Sequence, residues 1–184
     1  NEVGGVGLVL GELFGVGVSR ERVLVVDGGS TDGTVDVARR YGVKVIRQEG
    51  KGKADAIWTA LKHVNTPYML VMDGDYSYPA KYVPVLIEEI ISTGADEVIG
   101  VRIPQPGSQG LIYRLGNRLL TWAFNLLFST KLHDVLSGMY IIRTDALRDA
   151  LMEVGDFSIE AQIVAHMVST GKTVREVPIE YRPR

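Results

Sequence analysis

Short apolar runs alternate with amphipathic stretches over most of this chain. Residues 23–26 (VLVV) are apolar and β-branched, the pattern of a buried strand. A glycine-rich turn, DGGSTDGT, follows, with Ser30, Thr31 and Asp32 as N-cap candidates. Residues 34–41 then read as a helix that Gly42 closes, and residues 43–46 as a second strand. A helix over 53–64 carries apolar Ala54, Ile57, Ala60, Leu61 and Val64. A strand at 68–72, a helix at 83–91 and a strand at 97–101 continue the alternation. Strands separated by helices at this pace predict βαβ units, hence an α/β fold with a mostly parallel sheet. No internal repeat or low-complexity linker interrupts the pattern, so residues 1–184 are expected to form one domain.

One later segment has a different character. In LIYRLGNRLLTWAFNLLF (111–128), Arg114, Asn117, Arg118, Thr121 and Asn125 fall on a single helical stripe. The remaining face is wide and apolar, with Tyr113, Trp122, Phe124 and Phe128. Two arginines argue against a bilayer span. The pattern suits an ordinary helix packed on the sheet, or one lying in a membrane interface or lining a lipid groove. From Gly100 to Leu132 the charged residues are Arg102, Arg114, Arg118 and Lys131, with no acid. A cationic surface beside apolar rings is suited to a lipid phosphate.

Bulk properties narrow the classes. The net charge is −2, which argues against nucleic-acid binding by charge alone. There is no cysteine, so disulfides and thiolate chemistry are excluded and a reducing cytosol is compatible. No uncharged apolar run reaches the roughly 18–20 residues that cross a bilayer. Oligomeric state is left open.

The candidate chemistry lies at strand ends. Asp27 ends one strand, and Asp73-Gly74-Asp75 follows another. Ligands of such sheets bind beyond the carboxyl ends of the strands. Asp-Gly-Asp alone is compatible with a plain turn. It also suits a hard dication that takes one or two carboxylates and completes its shell with phosphate and water. The three histidines, His63, His133 and His166, show no metal-ligand spacing. In GGVGLVLG (4–11), the spacing of Gly5, Gly7 and Gly11 is dinucleotide-like but lacks a preceding strand. Gly7, Gly11 and Gly15 at i, i+4 and i+8 are expected to form a close-packing helix face instead. GKGK (50–53) fails the Walker spacing, and its lysines fit a phosphate or a solvated helix start.

Five segments occur in order: VVDGGSTDGT (25–34), GKGKADAI (50–57), VMDGDYSYPAKY (71–82), DVLSGMYIIRTDAL (134–147) and REVPIEYRPR (175–184). Together they resemble the family 2 glycosyltransferases with the Rossmann-like, three-layer A-type fold. The branch they are most similar to is the dolichol-phosphate mannose synthase-like and polyprenyl-phosphate glycosyltransferases. The resemblance implies an inverting transfer of a hexose from a nucleotide-diphosphate sugar, of the GDP-mannose or UDP-glucose type, to a polyprenyl phosphate. Mg²⁺ or Mn²⁺ would assist at the cytosolic face of a membrane. It implies donor contacts from Glu2, Asp27, Lys53 and Asp73, and metal binding by Asp75 with Asp73 as its ribose-side partner. It also implies a phosphate contact from Arg182 and a role for Asp134 near the transferred sugar, with Ser137 in the same block. Tyr76, Tyr78 and Pro79 would rim the donor site.

Arg102, Arg114 and Arg118 are the candidates for the acceptor phosphate. Glu160 could serve as a base were the acceptor a hydroxyl, or cap its helix. Two alternatives stay open: a soluble phosphorylated acceptor such as phosphoglycerate, and a module that binds a nucleotide sugar without turnover. The family's first strand would precede Asn1 and its lysine-containing tail would follow Arg184, so further segments are expected at both ends.

Overall fold

The structure is a computed structural model that describes residues 1–104, 111–151 and 158–183. In chain order the elements are α1 (Val3–Gly15), β1 (Leu24–Asp27), α2 (Thr34–Arg40), β2 (Lys44–Arg47), α3 (Gly52–Leu61), β3 (Tyr68–Val71) and α4 (Val83–Thr93). There follow β4 (Glu97–Pro104), α5 (Leu111–Phe128), β5 (Tyr140–Arg143), α6 (Thr144–Leu151), α7 (Ile159–Ser169) and β6 (Val174–Tyr181).

The strands make two sheets. β1 and β2 pair in parallel, and a four-stranded sheet runs β3-β5-β4-β6. β4 and β6 are parallel, but β5 lies antiparallel to both β3 and β4. The sheet is therefore mixed rather than mostly parallel. After α5 the chain enters between β3 and β4 from the opposite end, and the apolar run Tyr140–Ile142 supplies the strand. Period-2 alternation follows: Val98 and Ile141 face one hydrophobic core, while Ile99, Tyr140 and Ile142 face the other. The first core receives Leu10 from α1 and Leu86 and Ile90 from α4. The second receives Ile57 and Leu61 from α3, Leu147 from α6, and Ile163 and Met167 from α7. The result is three layers, helices on both faces of the strands.

Local signals account for the helix ends. Pro84 sits in the first turn of α4, where a missing N–H costs nothing. Gly94 closes the same helix with a left-handed φ of 66°, a conformation that glycine adopts without steric cost. The glycine-rich segment 3–15 is a helix despite its five glycines, held by Val6, Val9, Leu10 and Leu13 in the core. Of the expected close-packing face, Gly7 packs closely while Gly11 and Gly15 do not. A Cβ on Gly11 or Gly15 would meet nothing within 4 Å. A Cβ on Gly5 would stand 2.9 Å from the Gly74 carbonyl oxygen and the Asp75 carbonyl carbon, and one on Gly7 would stand 3.3 Å from Val37. The tight contacts fall where α1 crosses the Asp-Gly-Asp loop and α2.

Candidate functional site

Asp27 ends β1, and its carboxylate folds the glycine-rich turn around itself. Oδ2 accepts hydrogen bonds from the amides of Gly29 (2.9 Å) and Ser30 (3.0 Å). Burial alone would raise its pKa, but the Ser30 hydroxyl and these amides outweigh that and hold it below the usual range. An open cleft of about 340 Å³ lies beside it, lined among others by Ser30, Thr31, Val45 and Arg47. The side chain of Asn1 accepts from the Thr31 amide at 2.8 Å, and the Glu2 amide donates to the Thr34 hydroxyl at 2.7 Å. Glu2 is therefore pinned beside the turn through its backbone, with its side chain exposed.

Past β3, the loop that follows gathers charge. Lys53, from the first turn of α3, places Nζ 2.6 Å from Asp73 Oδ1 and 2.7 Å from Glu160 Oε1. Burial lowers the lysine's pKa, yet the two carboxylates more than offset this and raise it, so the ammonium stays charged. Gly138, in the LSGMY block, closes on the same group. A Cβ there would stand 2.3 Å from Asp73 Oδ2 and 3.0 Å from Lys53 Nζ. Asp75 Oδ1 accepts from the Ser77 amide at 3.0 Å and from the Ser77 hydroxyl, so Asp75 also shapes its own turn. Lys53 and Asp73, each read from the sequence as a donor contact, are thus brought together, and Glu160 joins them.

Arg182, read from the sequence as a phosphate contact, rests against Glu12 and Tyr76. Its guanidinium lies 4.1 Å above the Tyr76 ring and pairs with Glu12, Nη2 to Oε1 at 2.7 Å and Nη1 to Oε2 at 3.3 Å. Its own amide donates to the Ser77 carbonyl at 2.9 Å. Tyr78 and Pro79 do not rim the site, because both are buried. Burial pushes the Tyr78 phenol up to about 12, so it is neutral. Its hydroxyl accepts from the Gly138 amide at 2.7 Å, tying the two loops together.

Arg102 and Asp134 pair with each other rather than with an open cleft. Nε to Oδ2 is 2.7 Å and Nη2 to Oδ1 is 2.8 Å, and both side chains are largely buried. Burial works against the charged guanidinium, but Asp134 outweighs it and raises its pKa. Ser137 is buried and donates to the Gly100 carbonyl at 2.6 Å, a latch between the LSGMY block and β4.

On α5 the polar stripe faces the protein in its second half, while Arg118 is exposed. Thr121 and Phe124 are buried, Phe124 packs on Phe128 at 4.5 Å, and Asn125 binds the Leu132 carbonyl at 2.8 Å. The outer face is apolar: Leu115, Leu119, Trp122 (62% exposed), Leu126 and Leu127 (77% exposed). Tyr113 joins this face, while Phe124 and Phe128 belong to the inner one. Arg114 is half-buried, Arg118 is exposed, and neither forms an ion pair with a described residue. They lie one turn apart on α5.

The donor set bears on a metal. Among the described residues no group of three or more His, Cys, Asp or Glu side chains could enclose an ion. Two hard carboxylates, Asp73 and Asp75, remain. That set does not suit a closed zinc site. Its oxygen donors are of the kind that would suit a hard dication such as Mg²⁺ or Mn²⁺. Glu12, Gly5 and Gly138 were not anticipated as site residues from sequence. Glu12 carried a signal, since it is the only charged residue between Val3 and Ser19.

The Glycosyl transferase family 2 profile matches residues 15–151. The chain is 34% identical over 165 residues to Glycosyltransferase AglJ of Haloferax volcanii, covering 88% of this chain and 54% of AglJ. It thus spans about half the length of that relative. It is 31% identical over 186 residues to the Dolichyl-phosphate hexose transferase of the same organism, covering 100% of this chain and 80% of that one. Among solved structures, glucosyl-3-phosphoglycerate synthase from Mycobacterium tuberculosis, in complex with Mn²⁺, uridine-diphosphate and phosphoglyceric acid, superposes with a TM-score of 0.81 at 21% identity. That match covers 100% of this chain and 68% of the synthase chain. The shared fold is the glycosyltransferase A-type.

Proposed function

The chain belongs to glycosyl transferase family 2, and on that premise we propose that it moves a hexose from a nucleotide-diphosphate sugar to a polyprenyl phosphate at a membrane surface. The observation that carries the acceptor is α5, whose Leu115, Leu119, Trp122, Leu126 and Leu127 face outward. No helix of the described residues is long and apolar enough to cross a membrane. An amphipathic helix with arginines beside such a face lies in the interface plane. The relative that acts on dolichyl phosphate agrees with this choice.

In this reading Asp73 and Asp75 hold Mg²⁺ or Mn²⁺, which when bound offsets the charge of the leaving diphosphate. Lys53 fixes the spacing of Asp73 and Glu160, so the donor meets a preorganised floor. The Asp27 turn and its cleft receive the nucleoside. A phosphate monoester acceptor has a second pKa near about 6, so it arrives as an anion and needs positioning more than deprotonation. Arg114 and Arg118 supply the counter-charge. Arg102 is already satisfied by Asp134 and drops out of that set. Glu160, tied to Lys53 and to the Ser158 hydroxyl, acts in positioning rather than as a base.

The test is vesicle flotation together with transfer assays. Wild-type protein is expected to float with anionic vesicles and to glycosylate vesicle-borne polyprenyl phosphate. Trp122→Asp, at an exposed position, should reduce both at least tenfold while preserving nucleotide binding. Glycosylation of soluble phosphoglycerate by protein that ignores vesicles would establish the rival acceptor instead.

A further inference from the structure

Four hydrogen bonds converge on Glu12, in the third turn of α1. Oε1 accepts from the Tyr76 hydroxyl (2.9 Å) and from Arg182 Nη2 (2.7 Å). Oε2 accepts from the Ala80 amide (3.0 Å) and from Arg182 Nη1 (3.3 Å). Burial would raise the Glu12 pKa, but Arg182, the Ala80 amide and Tyr76 together hold it below the usual value. These donors come from both ends of the segment that follows Asp75 and from the end of β6. Tyr76 has φ 67°, a left-handed backbone that a bulky side chain adopts only when its surroundings impose it. Arg182 stacks on that ring and holds the Ser77 carbonyl, and Ser77 in turn donates to Asp75 Oδ1. Gly5 is seven residues before Glu12, two turns along the same helix face, and touches the Gly74–Asp75 backbone.

We infer that Glu12 is a positioning residue for the donor site: through Tyr76, Ala80 and Arg182 it clamps the loop that aims Asp75, with α1 as the splint. This rests on the proposed donor reading. It also assigns Arg182 a resting role against Glu12 before any phosphate contact.

The probe is Mn²⁺ with UDP or GDP, titrated calorimetrically into the purified protein, with melting temperature measured in parallel. Glu12→Ala is expected to weaken Mn²⁺–nucleotide binding at least tenfold. Glu12→Gln keeps the acceptor oxygen but loses the charge that Arg182 needs, and should fall between the two. A core variant, Ile90→Val, serves as a control for lost stability and should bind as wild type does. The clamp is overturned if Glu12→Ala binds as wild type, or if binding falls in the control by the same factor at the same loss of melting temperature. If neither nucleotide binds wild-type protein with Mn²⁺, the donor reading itself fails. If Asp75→Asn abolishes binding while Glu12→Ala does not, only the clamp fails.

Discussion

A Cβ on Gly138 would stand 2.3 Å from Asp73 Oδ2, so the bare backbone of the LSGMY block is what lets this carboxylate occupy its place. The neighbours that would have to yield are the ends of two side chains, Asp73 and Lys53, and not backbone. Gly138→Ala should therefore fold, with little change in melting temperature, and lose the Lys53–Asp73 arrangement. Nucleotide affinity in the presence of Mn²⁺ is expected to drop at least tenfold. Unchanged affinity in a folded variant would show that the packing has no bearing on the site.

Two glycines of α1 should respond in opposite ways to the same substitution. Gly11→Ala places a methyl in open space and gains helix propensity, a stabilisation of about 1 kcal/mol. Gly5→Ala drives a methyl into the backbone of Gly74 and Asp75, and overpacking of that kind costs about 1–3 kcal/mol. Urea denaturation of the two variants measures the contrast, and equal midpoints would contradict it.

Glu97 sets a dependence on pH. It is 1% exposed in the second core, and burial pushes its carboxyl up from 4.5 to about 8. Between those values the folded chain holds a proton that the unfolded chain releases, so stability falls as pH rises. The contribution is fully present below about pH 4.5 and is lost by the time pH passes about 8, on the order of 5 kcal/mol in all. Glu97→Gln cannot ionise. Its melting temperature relative to wild type should climb steadily between pH 5 and pH 8.5, and a constant offset would refute the assignment.

The Arg102–Asp134 pair predicts a loss of stability. Asp134→Ala leaves the guanidinium buried and unpaired, a change that costs about 3–5 kcal/mol. Replacing both partners by apolar residues of similar size should recover much of that loss. The readout is the double-mutant cycle in urea. A single variant as stable as wild type would place Asp134 among the groups that meet substrate instead.

The strands β1 to β4 were legible in sequence because each apolar run is short and bounded by turn residues. β5 was not, because its apolar residues Tyr140, Ile141 and Ile142 sit inside a motif and periodicity carries no strand direction. α1 was legible as a packing helix, but which glycines pack depends on what crosses it, and that is tertiary. Lys53 and Asp73 could be named from the chain, while their bond to Glu160 joins residues 107 positions apart and needed the fold. The same limit hid the clamp at Glu12, whose partner Arg182 lies 170 residues away. The stripe on α5 was read correctly as a stripe. Which of its faces meets the protein was left between a helix packed on the sheet and one turned to lipid, because a sequence cannot say which side of a helix is covered.

Under the proposed membrane acceptor, the outward apolar face of α5 has a kinetic consequence. A domain held flat by an outward apolar helix diffuses laterally with the lipids it samples, so its search for a membrane-borne acceptor becomes two-dimensional. Turnover would then follow the mole fraction of acceptor within the leaflet, and diluting the vesicles at constant composition would leave the rate per bound protein unchanged.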